Sequence, residues 1–241
     1  MKVIAFNSSP HRDRGGTGLI LNPFLDGARQ AGAEVELFYV QSMDIRPCLG
    51  CYVCWTSTPG QCAQEDDMNA ILPRIAEADI VVYATPLYVD GMNGPMKALL
   101  DRTIPLIEPR MEIRNDHCRH PRRASARPGK VVLVSVCGFT EPDNFDALVL
   151  HIRAVCRNLD RQFAGALLRP YASSLPALAK RGVAVEDVLA AAREGGRQIV
   201  ETGTMTDGVR QRVSRELIPR DTYIRAVNAR FRRLQSKKET R

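Results

Sequence analysis

The sequence contains no long apolar run and no apolar leader. No stretch of its 241 residues reaches the roughly 18 consecutive apolar side chains that a membrane-spanning helix needs. The amino terminus, MKVIAFNSSP, offers four apolar residues in a row before a polar turn, which is too short for a secretory signal. The sequence therefore predicts a cytoplasmic protein that does not insert into a membrane.

Disulfide bonds are not expected either, because the chain has seven cysteines, an odd number, and no recognisable export signal. In a reducing compartment, cysteines serve as free thiols or metal ligands rather than as cross-links. Histidine is also scarce, with four residues, and no Ser–His–Asp or Cys–His arrangement stands out. The residue content therefore points away from nucleophilic catalysis by side chains.

The loop after the first predicted strand lacks two nucleotide-binding fingerprints. It reads NSSPHRDRGGTG over residues 7–18, which matches neither the GxGxxG pattern of a dinucleotide site nor the GxxxxGK[ST] pattern of a nucleoside triphosphate site. Two serines, the backbone amides, Arg12, and Thr17 at a predicted helix start together form a nest for an anion. A single phosphate monoester fits this loop best.

The net charge of +7 is spread unevenly along the chain. Residues 201–241 carry eleven Lys/Arg and five Asp/Glu. Residues 109–130 carry seven Lys/Arg and two Asp/Glu. We interpret the basic tail as a solvated helix end and not as a nucleic-acid surface, because no nucleic-acid-binding motif accompanies it. Residues 109–130 read as an insertion whose arginines suit either an acidic ligand, such as the 2′-phosphate of NADPH, or a solvated or subunit-bridging loop.

The order of elements predicts a doubly wound α/β fold. Apolar runs predict strands at residues 2–6, 35–40, 78–86, 131–138 and 163–171, with helices between them and after them. Unbroken apolar strands that alternate with helices form a parallel sheet covered on both faces. Such sheets bind ligands beyond the carboxyl ends of their strands, which directs attention to residues 7–17, 86–91 and 137–144. Residues 207–234 are predicted to be mostly helical, with a break at Pro219.

Four of the seven cysteines fall in one loop after the second predicted strand, PCLGCYVCWTSTPGQC at residues 47–62. They are Cys48, Cys51, Cys54 and Cys62, separated by two, two and seven residues. This spacing can wrap a [4Fe–4S] cubane, because three close thiolates and a later fourth can reach its corners. Zinc also accepts four thiolates, usually from two pairs with a longer spacer, and a redox pair is usually one CxxC at a helix start. Plain thiols packed beside Trp55 are the remaining alternative.

Several motifs, in this order, resemble those of a known family. They are NSSP…GGTG, then PCLGCYVCW…PGQC followed by DDM, then TPLYVDGMNGPMKALLDR. Over about residues 1–170 the chain is similar to the flavodoxin-like NAD(P)H-dependent FMN reductases, and within them to the iron–sulfur flavoprotein branch. The resemblance implies a flavodoxin-like, doubly wound, five-stranded parallel sheet with helices on both faces and a C-terminal helical extension.

The resemblance also implies which residues hold the cofactors. The FMN phosphate would be held by Ser8, Ser9, Pro10, Arg12 and Thr17. The flavin ring would lie against Pro86, Leu87, Tyr88, Val89 and Gly91, with Gly138 at its remaining edge. A [4Fe–4S] cluster near the flavin would be held by Cys48, Cys51, Cys54 and Cys62, in a homodimer or homotetramer. No side chain is assigned as catalytic, because hydride and electron transfer belong to the flavin.

The implied activity is that of an FMN-dependent oxidoreductase. It would take electrons from NAD(P)H and pass them to a quinone, a nitro compound, oxygen or another small acceptor, directly or through the cluster. The alternative is a non-enzymatic flavin and iron–sulfur electron carrier between a ferredoxin-like donor and a partner protein. We expect residues 1–202 to form the FMN-binding domain, including the cysteine loop 47–62 and the basic insertion 109–130, and residues 203–241 to form a helical extension that supports oligomerisation.

Overall fold

The computed structural model describes residues 1–239, which form a parallel sheet with helices on both faces. The strands are β1 (Lys2–Asn7), β2 (Glu34–Tyr39), β3 (Ile80–Tyr88), β4 (Gly91–Met92), β5 (Glu112–Arg114), β6 (His117–Arg119), β7 (Lys130–Val136) and β8 (Gln162–Arg169). The helices are α1 (Gly16–Gln30), α2 (Met68–Glu77), α3 (Gly94–Asp101), α4 (Asp146–Asn158), α5 (Leu175–Ala179), α6 (Glu186–Glu201), α7 (Asp207–Ser214) and α8 (Arg220–Glu239). Within this described part, no helix is both long and apolar enough to cross a bilayer.

The main sheet has the strand order β2-β1-β3-β7-β8, with all neighbours parallel, and β4 pairs antiparallel with β3. This is the flavodoxin-like order, so the predicted fold class is confirmed. The chain runs outward from β1 to β2 and then returns to β3 on the other side of β1, so the order reverses between β1 and β3. The carboxyl ends of these two strands therefore flank the crevice where such sheets bind ligands.

Apolar side chains are buried on both faces of the sheet, under α1, α6 and α7 on one face and under α2, α3 and α4 on the other. The helices α1 and α6 approach each other very closely. A Cβ built on Gly27 would lie 1.8 Å from the carbonyl oxygen of Arg193, and one built on Gly196 would lie 1.8 Å from that of Phe24. Any larger residue at either glycine would push the two helices apart.

The chain beyond residue 202 contains two helices that differ in burial. In α7, Val209 and Val213 are fully buried, and the buried Arg169 donates from Nη1 to the carbonyl oxygen of Val213 at 2.8 Å. In contrast, α8 begins after Pro219 and lies on the surface, where Phe231 is exposed. The division into a domain and an extension at residue 203 stays a prediction, and residues 240–241 of that extension lie outside the described residues.

The basic insertion lies at the edge of the sheet opposite the crevice. Its hairpin, β5–β6, is tied to the turn before β8 by an ion pair between Arg114 Nη1 and Asp160 Oδ1 at 2.6 Å. The strands β7 and β8 begin at that edge and run about 20 Å to their carboxyl ends. The arginines of this hairpin are therefore remote from the crevice of the same chain, which favours a solvated or subunit-bridging loop over a site for the 2′-phosphate of NADPH.

Candidate functional site

The loop that joins β1 to α1 is folded tightly at the carboxyl edge of the sheet. The Ser9 amide donates to Asn7 Oδ1 at 2.9 Å. Ser8 Oγ donates to the Ala84 carbonyl oxygen on β3 at 3.4 Å, which fixes the loop beside the neighbouring strand. Ser8 and Ser9 are buried, whereas Pro10 is exposed at the tip of the loop. Two of the predicted phosphate ligands thus lie inside the fold and a third at its rim.

Two buried polar atoms at this loop, Thr17 Oγ1 and Asn7 Nδ2, have no hydrogen-bond partner among the described residues. Thr17 is 1 % exposed and belongs to the first turn of α1, which Gly15 precedes without a side chain to cap it. Buried polar groups in folded proteins are nearly always hydrogen-bonded, and the amides at a helix N-terminus favour anions. The groups left open here are therefore suited to a phosphate.

The backbone approaches itself closely around the same position. A Cβ on Gly15 would lie 2.7 Å from Ser9 Oγ, and a Cβ on Gly18 would lie 2.6 Å from the Cα of Asp13. Neither position has room for a side chain. The glycines of the GGTG motif therefore allow the loop to close around the start of α1.

Arg12 borders the loop on the side of β2. Its Nη2 donates to Ser42 Oγ at 2.6 Å, and its guanidinium lies 5.8 Å from the centroid of the Tyr39 ring. The Tyr39 hydroxyl donates to Asp13 Oδ2 at 2.6 Å, and this hydrogen bond, together with burial, raises the pKa of Tyr39 to about 12. Tyr39 therefore stays protonated at neutral pH and keeps Asp13 fixed beside the loop.

The second predicted segment is a hairpin in which β3 turns back into β4. Tyr88 pairs with Gly91 across the turn. Val89 and Asp90 have φ angles of +47° and +59°, the pattern of a type I′ turn, which asparagine and glycine normally form. Pro86 and Leu87 on the strand are partly buried. Tyr88 is 51 % exposed and Val89 is fully exposed, so the hairpin presents an aromatic and an apolar surface to solvent.

Asn93 joins this hairpin to the loop between β1 and α1, a contact that the sequence did not predict. The residue is buried, and its Nδ2 donates to the Ser8 carbonyl oxygen at 2.7 Å. Its Oδ1 accepts from the Met96 amide at 3.4 Å, which caps the N-terminus of α3. An Asn before Gly94 and Pro95 is a helix-start signal, so the cap could have been found, although its bond to Ser8 could not.

The third predicted segment follows β7 and carries Gly138 between the buried Cys137 and the exposed Phe139. The Tyr223 hydroxyl on α8 donates to the Gly138 carbonyl oxygen at 2.7 Å. Because β1, β3 and β7 are neighbouring parallel strands, the structure brings the three predicted FMN-binding segments to one edge of the sheet. The cysteine loop instead lies beside the end of α3, because Asp101 and Arg102 line one cavity together with its four cysteines.

The four cysteines of the loop line one cavity of about 60 Å³. Its lining cysteines are Cys48, Cys51, Cys54 and Cys62. All four carry free thiols; the first two are exposed and the last two are partly buried. The pKa of Cys54 is raised by burial and then by the neighbouring thiols, Cys62 first. The four sulfur atoms are therefore near enough to interact, which is the arrangement that the spacing predicts.

The cysteine loop does not hold its thiols as a preformed ion site. Within residues 1–239, no group of three or more His, Cys, Asp or Glu side chains is placed to hold a metal ion. By donor chemistry alone, four thiolates suit one zinc ion or the four iron atoms of a cubane.

The loop is packed against the basic insertion by its tryptophan. Trp55 Nε1 donates to the carbonyl oxygen of Ile107 at 3.1 Å, and the indole lies 4.7 Å from the His120 ring, centroid to centroid. Arg123 Nη2 donates to the Cys54 carbonyl oxygen at 3.1 Å. These contacts hold the backbone of the cysteine loop in place without using any thiol.

A buried ion pair lies behind the cysteine cavity. Asp66 accepts from Arg102 Nη1 at 2.6 Å and from Arg102 Nη2 at 3.0 Å, and both side chains are at most 1 % exposed. Burial opposes the charge on Asp66, but hydrogen bonds from Arg102 and from the amides of Arg46 and Met68 hold the pKa of Asp66 below its usual value. Burial also opposes the charge on Arg102, but Asp66 and the charge of Cys62 hold the pKa of Arg102 above its usual value.

One known protein family matches about two thirds of the chain. The profile of the family described as NADPH-dependent FMN reductase matches residues 1–160, the part that contains the three segments at the sheet edge and the cysteine loop. The chain belongs to this family. Its membership confirms the predicted resemblance and supports general flavin oxidoreduction.

Among curated members, the similar proteins include iron–sulfur flavoproteins of two archaea. The chain is 35 % identical to one from Methanocaldococcus jannaschii over 106 residues, which are 44 % of this chain and 53 % of that protein. It is 33 % identical to one from Archaeoglobus fulgidus over 103 residues, 43 % of this chain and 49 % of that protein. The chain thus spans about half the length of the curated relatives it matches. These matches confirm the resemblance to the iron–sulfur flavoprotein branch.

Solved structures of FMN reductase-like proteins share the fold. An NAD(P)H:quinone oxidoreductase from Methanothermobacter marburgensis aligns with a TM-score of 0.58 and 19 % identity, over 83 % of this chain and 96 % of that one. A flavone reductase aligns with a TM-score of 0.58 and 18 % identity, over 83 % of this chain and 62 % of that one. At these identities the alignments establish the fold, which agrees with the flavodoxin-like strand order.

Proposed function

We propose that the protein is an FMN-dependent oxidoreductase that takes electrons from NAD(P)H and passes them to a small acceptor such as a quinone, a nitro compound or oxygen. The observation that carries this proposal is the pair of unpartnered buried atoms, Thr17 Oγ1 and Asn7 Nδ2, at the uncapped start of α1. Family membership supports FMN as the cofactor whose phosphate would accept hydrogen bonds from these two groups. When bound, FMN supplies both hydride acceptance and single-electron transfer.

The residues of the crevice would then have distinct tasks. The proposed phosphate ligands are Ser8, Ser9, Pro10, Arg12 and Thr17. The proposed ring contacts are Pro86, Leu87, Tyr88, Val89, Gly91 and Gly138. The Ser9 amide and the Ser8 hydroxyl already donate within the fold, so the phosphate would be held chiefly by the Thr17 hydroxyl and the uncapped first amides of α1. The hairpin would cover one side of the ring with the exposed Tyr88 and Val89, which excludes water there and orients the nicotinamide donor.

We further propose that the cysteine loop holds a [4Fe–4S] cluster. The ligands would be Cys48, Cys51, Cys54 and Cys62. Their shared cavity, their free thiols and their close spacing in the sequence support this assignment. The cluster would allow the protein to release electrons one at a time to an acceptor.

Flavin bleaching under argon tests the oxidoreductase function. The full chain, loaded with FMN and freed of excess flavin, is mixed with NADPH or NADH, and its absorbance near the flavin maximum is followed. We expect rapid bleaching and recovery of the colour on addition of a quinone. A protein that is bleached by dithionite or by a reduced ferredoxin, but by neither nicotinamide, would instead be an electron carrier. A colourless protein that does not bind added FMN contradicts both functions.

Iron and sulfide assays on anaerobically prepared protein test the cluster. We expect about four iron atoms per chain, and loss of iron in Cys51→Ser but not in Cys118→Ser, a matched change of an exposed cysteine outside the loop. Iron-free, folded protein with full activity would contradict the cluster and leave the flavin function intact.

The assembly and the location of the protein stay predictions. We propose a homodimer or homotetramer, with α8 and its exposed Phe231 as a contact surface. Light scattering on the full chain and on a chain that ends at residue 218 tests this. A truncated protein that keeps the oligomeric state of the full chain contradicts a role for α8.

A further inference from the structure

The wall of the cysteine cavity contains a buried cation. Arg102 lines the cavity and is 1 % exposed. Its Nη1 donates to Asp66 and to the carbonyl oxygen of Arg46 at 2.8 Å, and its Nη2 donates to Asp66. Its Nε, by contrast, has no hydrogen-bond partner in the part of the chain that the structure describes. The Nε–H of a guanidinium that lines the thiol cavity is thus left without an acceptor.

A buried N–H without an acceptor destabilises the fold, and this N–H belongs to a charged group. The donor is therefore suited to an acceptor inside the cavity. The carboxylate of Asp66 neutralises the cation, yet Asp66 is absent from the cavity lining whereas Arg102 is present. The pair is therefore oriented with its positive member facing the cysteines and its negative member behind. The wall also contains the carboxylate of Asp101, which is paired with Lys97 Nζ at 2.7 Å. Beside this paired carboxylate, the Arg102 guanidinium favours negative charge at the thiols.

Cys62 lines the same cavity as Arg102. It is the cysteine whose charge contributes to the electrostatic environment of the guanidinium, and it is partly buried in the same cavity. Hydrogen bonds to the sulfur atoms and nearby charge are among the factors that set the reduction potential of an iron–sulfur cluster. A cation also stabilises the reduced form more than the oxidised form, because reduction adds one negative charge.

We propose that Arg102 is a positioning residue for the cluster: it donates from Nε to a sulfur atom at the Cys62 corner and makes the cluster easier to reduce. The inference rests on the proposed cluster. The reaction concerned is the transfer of one electron from an external reductant to the cluster, with no bond made or broken in the protein. Asp66 pairs with Arg102 on the side away from the cavity and compensates the energetic cost of burying the guanidinium charge.

The test replaces the pair without leaving one charge unpaired. In the double variant Asp66→Asn/Arg102→Gln the two amide side chains can still hydrogen-bond to each other. The matched control is Arg46→Gln. Arg46 also carries a guanidinium near Asp66, with its Nε 3.7 Å from the carboxylate. Its side chain is 51 % exposed, however, and does not line the cavity. Each full-length protein is titrated with dithionite under argon, and the reduced cluster is followed by EPR, with iron content measured in parallel.

We expect the wild type and Arg46→Gln to have the same cluster potential. The double variant should keep its iron but become harder to reduce, by about tenfold in the reduction equilibrium, which is about 59 mV for a one-electron couple. Arg102→Lys, which restores the charge without the Nε donor, should recover part of this shift.

Three outcomes would overturn the inference. Unchanged potential in an iron-replete double variant shows that Arg102 does not influence the cluster. A folded double variant without iron, together with an iron-replete Arg102→Lys protein of wild-type potential, shows that the residue only supports the loop. Iron-free wild-type protein contradicts the cluster itself, and the iron assay identifies this case before any potential is measured.

Discussion

The Tyr223 hydroxyl donates a hydrogen bond of 2.7 Å to the carbonyl oxygen of Gly138. This bond joins α8 to the loop after β7, where we propose that the flavin ring has one edge. The Tyr223 ring also lies 5.0 Å from the Tyr171 ring, and Arg220 pairs with Glu141 at 3.5 Å. The first turns of α8 therefore hold the loop after β7 at several points.

Tyr223→Phe should weaken FMN binding, because the loop at Gly138 loses its hydrogen bond while the ring contact with Tyr171 is kept. A bond of this kind contributes about 0.5–1.5 kcal/mol, so we expect the dissociation constant for FMN to rise about two- to tenfold. Quenching of FMN fluorescence on titration measures the constant. Phe231→Ala, an exposed change farther along α8, is the control. Equal affinity in wild type and Tyr223→Phe would show that α8 does not hold the cofactor loop.

The sheet was predictable because its strands are buried on both faces. An unbroken apolar run such as residues 131–138 is typical of a parallel strand between two layers of helices, and the structure has β7 at Lys130–Val136. In contrast, β4 is two residues long and follows a Val89–Asp90 turn, which lacks the asparagine or glycine that would signal a hairpin.

Contacts between distant segments account for most of what the sequence could not reveal about the site. The adjacent residues Asp66 and Asp67 both suit a helix start, and only the fold shows that Asp66 pairs with Arg102, 36 positions away. Asp67 precedes α2 but its side chain makes no capping bond to the helix. The bond from Tyr223 to Gly138 joins positions that are 85 residues apart. The loop after β1, by contrast, is continuous in sequence, so the sequence alone could bring its proposed phosphate ligands together.

Asp66→Asn should destabilise the protein strongly, because it leaves the buried Arg102 without its counter-charge. Removing one partner of a buried ion pair typically costs about 3–5 kcal/mol. Urea unfolding of the reduced, cofactor-free chain measures the change. Asp67→Asn, next to it but exposed, should cost less than about 1 kcal/mol. Similar losses in the two variants would show that the pair contributes little.

The contribution of Asp66 to the free energy of unfolding should also depend on pH. Its pKa is lower in the folded protein than its usual value, and an unfolded aspartate has a pKa of about 3.9. The stabilisation is therefore complete above about pH 5 and is lost as the pH falls through the folded pKa. The difference in unfolding free energy between wild type and Asp66→Asn should shrink below about pH 4. A difference that stays constant down to about pH 3 would contradict this linkage.

Val89→Asn should stabilise the cofactor-free protein and weaken FMN binding at the same time. A β-branched residue with positive φ carries backbone strain, on the order of 1 kcal/mol, which asparagine relieves in a type I′ turn. The same change removes a fully exposed apolar surface that we propose to contact the ring. Urea unfolding and FMN titration measure the two effects. The control is Leu150→Asn, an exposed position in α4, which should give no such gain in stability. If Val89→Asn is no more stable than the wild type, the turn is not strained.

Thr17→Val separates the cofactor role of the phosphate loop from its structural role. The hydroxyl of Thr17 is buried with no partner within residues 1–239, so its replacement by a methyl group of similar shape should leave the thermal stability of the FMN-free chain unchanged or raise it. The FMN affinity should fall about 10- to 100-fold, since a hydrogen bond to a charged group contributes about 1.5–3 kcal/mol. Thr17→Ser, which keeps the hydroxyl, is the control and should bind FMN nearly as well as the wild type. Loss of stability in Thr17→Val with unchanged FMN affinity would show that the hydroxyl serves the fold and that the phosphate binds elsewhere.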